Sequence, residues 1–584
     1  MMRSKTNSLF SQTIWEPLPN APETNAVALQ EALFSKEAFP IELAHILYRR
    51  GIHTLEDAKS FFSPQKSELH DPFLMKGMDV AVDRLLKARA AQEVVLLFGD
   101  YDVDGTSATA LLRMYLQSRG WKSVDYIPDR YKEGYGISYQ GINFGKEHEA
   151  SLMVSLDCGI KAIDQIRYAK TQGVDAIICD HHTPGTELPA ALAVLDPKQT
   201  DCPYPYKELT GCGVGFKLIQ ALHQQLTEAG ENFPDPFEEY VDLVTLSIAC
   251  DIVPITGENR AIAHYGLQKI RSNPLPGIGV IMQQAKEERS WDISDLVFFV
   301  GPRLNAAGRL RHGSESVEVL AGKGQDLIKL AHQLQQTNDD RKSLDKEITD
   351  EALALIDQDP EYPERSTTVL YQSHWHKGVI GIVASRLIET HYRPTVMLTE
   401  SDGKLVGSAR SVKGFNLYEA LLACQEHLLQ FGGHKYAAGL SMHPDAFPAF
   451  CQKFDQIVAQ SLRPEQKIPA LCIDQFMRFS KIDARLIRLI NRMAPFGPGN
   501  PRPVFMAEGV LVRHTSILKE VHLKMVLEQD GVMLEAIGFQ LAETWLRIGE
   551  GLIDIAFQPI FNTWNGKTRI NLRLKDIRPS SLRG

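Results

Sequence analysis

The stretch VVLLFGDYDVDG, residues 94–105, decides the fold class of this chain. Its apolar run, 94–98, is typical of a short buried strand, and a turn rich in glycine and aspartate follows at once. A helical pattern then runs from Thr106 to about Ser118. Strand, turn and helix in this order predict the start of a βαβ unit in a parallel sheet.

Strands and helices keep alternating beyond this stretch. Short apolar runs predict strands at 152–156, 175–179 and 191–195, and a helical pattern covers about 160–171. We expect this α/β lobe to reach about residue 312. A charged helical stretch follows, and alternation resumes near residue 367, which predicts a second α/β lobe that ends near Pro444. The first 90 residues or so are expected to form helices with proline-containing connections.

The C-terminal part has a different rhythm and a different charge. Short alternating segments at 510–513, 522–527, 533–539 and 553–557 predict a small β-barrel. Residues 480–584 carry 15 basic and 10 acidic side chains, although the whole chain has a net charge of −9. A basic terminal module is compatible with nucleic-acid contact. Chance variation in a window of this size explains the charge equally well.

Composition excludes several classes of protein. The 584 residues are 44% hydrophobic and 23% charged, as in ordinary globular proteins. The sequence has no apolar run long enough to span a membrane, and its first twenty residues do not resemble a signal peptide. The eight cysteines form no CxxC pair, which argues against a disulfide framework. We therefore expect a cytoplasmic, multidomain protein with no membrane partner.

Acidic and histidine side chains follow the predicted strands or an apolar run. They are Asp100, Asp102 and Asp104 after the first strand, Asp157 after the second, Asp180, His181 and His182 after the third, and Asp251 after 243–250. Because parallel strands end at one edge of a sheet, we expect these side chains to converge there. Converging carboxylates repel one another unless cations lie between them.

The donor set indicates which cations would bind. Carboxylate oxygens with one or two imidazoles suit Mg²⁺ or Mn²⁺. The donors exceed the need of one ion, so a two-metal site with ions ~3.5–4 Å apart fits better. Simpler roles are open for single residues: Asp102 or Asp104 could cap the helix near Thr106, and a His pair is often a surface or packing feature. The joint placement favours the metal site.

Four motifs in the first half carry a family resemblance. GDYDVDG (99–105), SLDCGI (155–160), DHH (180–182) and CDIVP (250–254) resemble the DHH phosphoesterase superfamily. Five further segments resemble its RecJ family of single-strand-specific 5′→3′ DNA exonucleases. They are GPRLNAAGRL (301–310), WHKGVIGIVASRL (375–387), GSARS (407–411), GGHKYAAG (432–439) and FGPGNPRPVF (496–505). The resemblance runs from about residue 70 to the C-terminus.

The resemblance implies roles for named residues. The implied metal ligands for two Mn²⁺ or Mg²⁺ ions are Asp100, Asp102, Asp104, Asp157, His181 and Asp251. The implied catalytic residues are Asp102, Asp104, Asp157, His181, His182 and Asp251, with His182 completing the site or contacting the scissile phosphate. The residues implied to bind substrate, including its 5′-phosphate, are Arg130, Tyr135, Arg303, Asn305, Arg309, His376, Ser408, Arg410, Gly432, Gly433 and His434.

The resemblance also implies an architecture. We expect two α/β lobes joined by a long helix, plus a C-terminal OB-type β-barrel. The expected boundaries are an N-terminal helical extension at 1–70, the DHH domain with a mainly parallel sheet at 71–312, a connector helix at 313–360, the DHH-associated domain at 361–460 and the OB-type domain at 461–584. Candidate base-stacking residues in the barrel are Phe505, Phe539, Trp545, Phe561 and Trp564, for which a core role is the alternative.

The implied function is hydrolysis of single-stranded DNA to 5′-mononucleotides by two-metal water attack, in recombination and repair. The implied partners are single-stranded DNA, a single-strand-binding protein, a RecQ-type helicase and mismatch-repair proteins, and the protein is expected to be a monomer. Two alternatives stay open: a DHH phosphodiesterase for short oligoribonucleotides or cyclic dinucleotides, and a non-catalytic nucleic-acid-binding scaffold of the same fold. A pyrophosphatase is disfavoured because Phe98 stands where the sister pyrophosphatases have a histidine.

Overall fold

The computed structural model describes residues 13–33, 39–564 and 566–581. The chain divides into two units. The first unit, named the catalytic unit because it contains the predicted metal ligands, comprises residues 52–339 and 492–502. The second, named the accessory unit, comprises the described residues within 1–51, 340–491 and 503–584. No helix within the described ranges is long and apolar enough to cross a membrane.

The strands of the described chain are β1 Ile14–Pro17, β2 Val94–Gly99, β3 Lys122–Tyr126, β4 Ala150–Leu156, β5 Asp175–Cys179, β6 Ala193–Leu195, β7 Thr368–Tyr371, β8 Thr395–Ser401, β9 Lys404–Arg410, β10 Gln430–Gly433, β11 Ala437–Met442, β12 Ala470–Ile473, β13 Gln475–Phe476, β14 Phe505–Leu518, β15 His522–Gln529, β16 Val532–Gly538, β17 Leu552–Trp564 and β18 Lys567–Pro579. The longer helices are Glu23–Ala32, Ile41–Arg49, Leu55–Phe62, Met78–Ala90, Val103–Ser118, Tyr139–Glu147, Ile163–Thr171, Gly211–Glu228, Pro236–Cys250, Gly257–Ser272, Pro276–Met282, Gly301–Leu310, Ser314–Ala321, Asp326–Gln358, Ile380–His391, Leu417–Leu422, Phe447–Ser461, Ala484–Arg492 and Ala542–Ile548.

The catalytic unit is built on an all-parallel sheet with strand order β3-β2-β4-β5-β6. Alternate residues of β2, β4 and β5 enter two different hydrophobic clusters, one on each face of the sheet. Helices Val103–Ser118 and Gly211–Glu228 cover one face, and helix Pro236–Cys250 packs against these two helices. Helices Tyr139–Glu147 and Ile163–Thr171 cover the other. Burial on both faces explains why these strands are continuous apolar runs.

The accessory unit holds a second α/β lobe and a barrel. The lobe has a mixed sheet, β10-β11-β9-β8-β7, in which only β7 and β8 pair in parallel. In the barrel, β14 pairs with both β15 and β17, and β16 pairs in parallel with β18. The ring β14-β15-β16-β18-β17 is therefore closed, which confirms the predicted barrel. The predicted two α/β lobes are confirmed as well.

Some local expectations were wrong. Residues 14–17 are a strand that pairs in parallel with β12, not part of a helix. Trp15 of this strand packs on Ile473, and its indole N–H donates to the Asp576 carboxylate at 2.7 Å. Strand β3 was not expected, because its polar, half-buried edge position gives it no apolar run.

Candidate functional site

The register of the parallel sheet brings three carboxylates into one row. Gly99, the last residue of β2, pairs with Leu156 of β4, and Leu156 pairs with Cys179 of β5. The next residues along each strand are Asp100, Asp157 and Asp180. The prediction that strand ends deliver these side chains to one sheet edge is confirmed.

Asp102 caps the helix that follows β2. Its Oδ1 accepts hydrogen bonds from the N–H groups of Asp104 and Gly105 at 2.9 and 3.2 Å. The helix consequently begins at Val103, one turn before the predicted start near Thr106. The capping role and a metal role are compatible, because the cap uses only one of the two carboxylate oxygens.

Asp104 is held by groups that come from distant segments. Its Oδ2 accepts from Gly211 N–H at 2.7 Å, and its Oδ1 accepts from Cys212 N–H at 2.8 Å and from the Ser247 hydroxyl at 2.7 Å. The two N–H groups belong to the N-terminus of helix Gly211–Glu228, which favours negative charge. A Cβ on Gly211 would lie 2.5 Å from the Cβ of Asp157, so only glycine permits this approach.

Asp251 reaches the site by another route than expected. The apolar run before it is the end of helix Pro236–Cys250, and Asp251 is the residue that caps its C-terminus. Its Oδ2 lies 3.7 Å from His181 Nε2. The site is thus assembled from three strand ends and one helix end, since an apolar run of eight residues is compatible with either element.

The cluster has unsatisfied buried donors and acceptors. Potential ligand atoms fall into three overlapping groups whose atoms lie within 4.8 Å of one another: Asp157, His181 and His182; Asp104, His181 and Asp251; Asp100, Asp102 and Asp157. Five buried atoms in this cluster have no hydrogen-bond partner: Asp100 Oδ1, Asp157 Oδ1, Asp251 Oδ2 and both ring nitrogens of His181. Buried polar atoms are normally satisfied, so this donor set fits bound divalent cations.

The electrostatics indicate the same need for positive charge. Burial, together with the neighbouring carboxylates, raises the pKa of Asp251 to about 9 and holds the pKa values of Asp100 and Asp157 well above their usual range. Burial lowers the pKa of His181, which keeps the imidazole neutral, as a metal ligand must be. Without cations, ionising several of these carboxyl groups together is unfavourable.

Metal addition gives a first prediction. Mn²⁺ at 100 times its dissociation constant should raise the melting temperature of the catalytic unit by about 5–10 °C, because ligand binding to the native state alone contributes about 2.7 kcal/mol. Thermal unfolding followed by near-UV circular dichroism measures the shift. NaCl at matched ionic strength is the control, and an equal shift in NaCl would contradict a specific metal site.

His182 is oriented by Asp180, which the sequence placed at the sheet edge but marked neither as a metal ligand nor as a catalytic residue. Asp180 Oδ1 accepts from His182 Nδ1 at 2.8 Å, and its Oδ2 accepts from Ile160 N–H at 2.9 Å. Burial alone would raise the pKa of Asp180, but the hydrogen bonds from His182 and the backbone lower it to about 2. The Tyr135 hydroxyl lies 3.2 Å from His182 Nε2 and 3.2 Å from the carbonyl oxygen of Asp157. Tyr135 therefore lies at the rim of the cluster.

Two predicted substrate arginines of the catalytic unit lie near the carboxylate–imidazole cluster. The Arg130 guanidinium stacks on the Tyr101 ring, 4.7 Å from its centre, and its charge acts on Asp100. The Arg309 carbonyl oxygen accepts from the Tyr131 hydroxyl at 2.6 Å. A Cβ on Gly308 would lie 2.7 Å from the Tyr101 carbonyl oxygen, so this helix end packs against the turn between Asp100 and Asp102.

Arg303 and Asn305 are placed differently. Arg303 is buried, stacks on Phe299 and donates from Nε to Gln335 Oε1 at 2.7 Å and from Nη1 to the Phe299 carbonyl oxygen at 2.5 Å. This geometry is that of a packing residue and does not support the predicted phosphate contact. Asn305 is half-buried on the same helix.

The predicted substrate residues of the accessory unit gather on one sheet face. Ser408 pairs with Gly439, which pairs with Gly432, so the three residues form a cross-strand row. Arg410 lies two residues further along β9, and its Nη1 donates to the Ser408 hydroxyl at 2.9 Å. A Cβ on Gly381 would lie 2.8 Å from Ser408 Oγ, which places the first turn of helix Ile380–His391 against this pair.

The remaining three predicted residues of the accessory unit are His376, Gly433 and His434. His376 is half-buried, and its Nδ1 accepts from Gly378 N–H at 3.1 Å. Gly433 has a φ of +146°, and a Cβ there would lie 2.3 Å from the Ala437 carbonyl oxygen. His434 follows in the turn and is exposed. Glycine amides and an exposed imidazole are groups that can contact phosphate.

The candidate stacking residues of the barrel divide between core and surface. Phe505 is fully buried in contact with Phe557, so it belongs to the core. Phe539 is 53% exposed beside His522 and is available to a ligand. Trp545 and Phe561 are half-buried. The side chain of Trp564 lies outside the described part of the structure.

A strained backbone position, Ile252, lies next to Asp251 of the carboxylate–imidazole cluster. Ile252 has a φ of +61°, which is rare for a β-branched residue, and its side chain is 64% exposed. We predict that Ile252→Asn raises the unfolding free energy by about 1 kcal/mol, because asparagine tolerates this backbone region. Thermal unfolding in EDTA measures it. Ile328→Asn, at an exposed helical isoleucine, should instead destabilise. A loss of stability in Ile252→Asn would contradict the prediction.

The fold and the site together define a class. A parallel α/β lobe with a buried carboxylate–imidazole cluster, a second α/β lobe and a closed terminal barrel define a metal-dependent phosphoesterase of the DHH type. Family models match the DHH family N-terminal domain at 94–248, the DHHA1 domain at 365–460 and the RecJ OB domain at 473–576. The chain belongs to the RecJ family.

Individual relatives agree with this assignment. The single-stranded-DNA-specific exonuclease RecJ of Bacillus subtilis (strain 168) is 35% identical over 545 residues, which cover 92% of this chain and 68% of the relative. The crystal structure of RecJ with Mn²⁺ from Thermus thermophilus is 27% identical, with a TM-score of 0.82 over 98% of this chain and 80% of that chain. The crystal structure of the same RecJ with Mg²⁺, also 27% identical, has a TM-score of 0.78 and covers 98% of this chain and 79% of that chain.

Proposed function

We propose that this protein is a metal-dependent exonuclease that degrades single-stranded DNA from its 5′ end to 5′-mononucleotides, in DNA recombination and repair. The carrying observation is the buried cluster of carboxylates and imidazoles with five unsatisfied atoms at one sheet edge. The single-stranded-DNA-specific exonuclease activity of the relatives, the Mn²⁺ and Mg²⁺ bound in the Thermus thermophilus structures, and the barrel that matches the RecJ OB domain support it.

The residues proposed to hold two Mn²⁺ or Mg²⁺ ions are Asp100, Asp102, Asp104, Asp157, His181 and Asp251. When bound, such ions lower the pKa of a coordinated water and neutralise charge on phosphoryl oxygens. His182, whose ring is oriented by the hydrogen bond to Asp180, is proposed to contact the scissile phosphate. Burial opposes the charged form, but the hydrogen bond to Asp180 raises the pKa of His182.

We assign the 5′-phosphate pocket to the face of the accessory lobe that carries Ser408 and Arg410. A guanidinium and a hydroxyl in contact, beside the first turn of a helix and a row of glycines, suit a phosphate group. Arg130, Tyr135 and Arg309 are proposed to contact the substrate from the catalytic unit. Phe539, whose side chain is 53% exposed, is proposed to stack on a base.

The proposal also covers the domain boundaries, the localisation, the oligomeric state and the partners of the protein. We propose domain boundaries at 71–312, 313–360, 361–460 and 461–584, with residues 1–70 as an extension. We further propose that the protein is a cytoplasmic monomer. Its proposed partners besides single-stranded DNA are a single-strand-binding protein, a RecQ-type helicase and mismatch-repair proteins, as the family resemblance implies.

One experiment tests both substrate and polarity. The protein is incubated with Mn²⁺ and a long single-stranded DNA labelled at either the 5′ or the 3′ end, beside the matching duplex. We expect immediate release of a labelled mononucleotide from the 5′-labelled strand, slow shortening of the 3′-labelled strand, and an intact duplex. Early release of the 3′ label would overturn the polarity.

The same assay decides against the alternative substrates. Short oligoribonucleotides and a cyclic dinucleotide are included at equal concentration. If long DNA survives while a small substrate is hydrolysed, the protein is a small-substrate phosphodiesterase. If no substrate is hydrolysed although Mn²⁺ binds, the result supports the alternative of a non-catalytic nucleic-acid-binding scaffold.

A further inference from the structure

The loop that carries Asp251, residues 251–256, is held in a strained conformation. Asp251 closes one helix, and its N–H donates to the Ser247 carbonyl oxygen at 2.9 Å. Ile252 then takes the left-handed backbone conformation with its side chain in solvent. Packing of the Ile252 side chain therefore does not stabilise this conformation. The loop must be fixed by what contacts it further along.

A segment distant in sequence fixes the other end of the loop. Residues 492–502, the clamp segment, belong to the catalytic unit. The N–H of Ile255 donates to the Pro498 carbonyl oxygen at 2.7 Å. A Cβ on Gly497 would lie 2.6 Å from Ile255, and a Cβ on Gly499 would lie 3.0 Å from Thr256. The glycines allow the clamp segment to lie directly against the loop.

Two buried side chains hold the clamp segment in shape. The Arg260 guanidinium, 5% exposed, donates to the carbonyl oxygens of Met493, Ala494 and Pro495 at 3.0–3.2 Å. The Asn500 amide, 1% exposed, donates to the carbonyl oxygens of Met493 and Pro495, both at 2.8 Å. Neither side chain belongs to the metal-binding groups found among the described residues.

We propose that the clamp segment positions Asp251 for metal binding and that Arg260 and Asn500 are positioning residues. The carboxylates of the cluster repel one another, so a loop carrying one of them moves outward unless it is held. The contact at Ile255 opposes that movement and keeps Asp251 Oδ2 at 3.7 Å from His181 Nε2. The inference rests on the proposed function in one respect, that Asp251 is a metal ligand.

The test measures Mn²⁺ binding to the full chain by the electron paramagnetic resonance signal of free Mn²⁺. Asn500→Ala should weaken Mn²⁺ binding about 10-fold, as loss of outer-shell support does. The Mn²⁺ concentration for half-maximal nuclease activity should rise by the same factor, while kcat at saturating Mn²⁺ stays near wild type. Arg260→Met should weaken Mn²⁺ binding to a similar extent. The Mn²⁺ affinity of Arg260→Lys, which keeps the positive charge, should lie between those of Arg260→Met and wild type.

Two reference variants make the result decisive. Trp121→Phe removes a buried hydrogen bond to the Leu85 carbonyl oxygen, 2.7 Å long, elsewhere in the catalytic unit, and should lower stability without changing Mn²⁺ affinity. Asp251→Asn should weaken Mn²⁺ binding directly. If Asn500→Ala binds Mn²⁺ with wild-type affinity while Asp251→Asn binds it more weakly, the clamp proposal is overturned and the assignment of Asp251 as a ligand stands. Wild-type affinity in Asp251→Asn would overturn the proposed ligand and the clamp with it. An equal affinity loss in Trp121→Phe would also overturn the clamp.

Discussion

Replacing Asp157 with asparagine should abolish nuclease activity and at the same time stabilise the metal-free protein. Asp157 contributes to two of the three ligand groups, and its Oδ1 is buried without a hydrogen-bond partner. A neutral amide removes a charged ligand, and we expect activity to fall at least about 10³-fold. The left-handed backbone at Asp157, with a φ of +61°, suits asparagine equally well.

The gain in stability follows from repulsion among the carboxylates. Burial raises the pKa of Asp157 well above its usual range, and the charges of Asp104, Asp102 and Asp100 raise it further. Removing one of these charges relieves the others. Each kcal/mol of relief should raise the melting temperature by about 2–4 °C. Thermal unfolding in EDTA and the Mn²⁺-dependent release of a 5′ label measure the two effects separately.

The stability that Asp157→Asn gains over the wild type without metal should increase with pH. A carboxylate whose folded-state pKa is raised costs no stability below its unfolded value, near pH 4. The cost grows as pH rises toward the folded value, which for Asp251 is about 9. The stability difference between Asp157→Asn and wild type should therefore be small near pH 4 and larger at pH 8. Unfolding in EDTA at both pH values measures it.

Asp164→Asn is the control variant for Asp157→Asn. Asp164→Asn removes an exposed carboxylate that pairs with Arg167 in the same unit, and should change neither activity nor stability appreciably. If Asp157→Asn keeps more than a tenth of wild-type activity, Asp157 is not a required ligand. If its metal-free form is less stable than wild type, the repulsion argument is wrong.

The strands and the residues that follow them were readable because β2, β4 and β5 are buried on both faces. Such strands are unbroken apolar runs, and register fixes where the next residues lie. Asp100, Asp157 and His181 could thus be assigned to one edge from the sequence alone. Strand β3 and residues 14–17 lack this signal, since an edge strand and a strand that pairs with a distant segment carry no continuous apolar run.

The support of the site could not be read from sequence. Gly211 and Ser247 hold Asp104, and each is more than 100 residues away along the chain. Local patterns do not report which distant backbone N–H meets a carboxylate. Asp180 is a partial exception, because it lies two residues before His182 in the DHH motif, 180–182. An Asp at this spacing from a His at the end of a strand can itself indicate a hydrogen bond that orients the imidazole ring.

Replacing Arg410 with methionine should remove the preference for a 5′-phosphorylated strand. The Arg410 guanidinium contacts the Ser408 hydroxyl, and the first turn of helix Ile380–His391 adjoins the pair. A charge-assisted hydrogen bond contributes about 1.5–3 kcal/mol, so we expect KM for 5′-phosphorylated DNA to rise about 10- to 150-fold. The kcat should change little, and KM for a 5′-hydroxyl strand should stay near its wild-type value.

The control uses another arginine of the same unit. Arg386 is half exposed and pairs with Asp345 on a different helix, so Arg386→Met should leave both KM values unchanged. Steady-state kinetics on strands that differ only in the 5′ group provide the comparison. An equal rise of KM on both strands in Arg410→Met would mean that Arg410 contacts the DNA backbone in general and does not recognise the terminal phosphate.

The glycine row offers an independent argument for the same pocket. Gly439 lies directly opposite Ser408, and a Cβ there would meet nothing closer than the Gly407 carbonyl oxygen at 4.0 Å. Side chains of paired residues point to the same face of a sheet, so Gly439→Val places a side chain beside Ser408 whose Cβ clashes with nothing in the fold. If the phosphate binds there, KM for the phosphorylated strand must rise while the melting temperature stays constant. If Gly439→Val leaves KM unchanged, the phosphate binds elsewhere, whatever Arg410→Met shows.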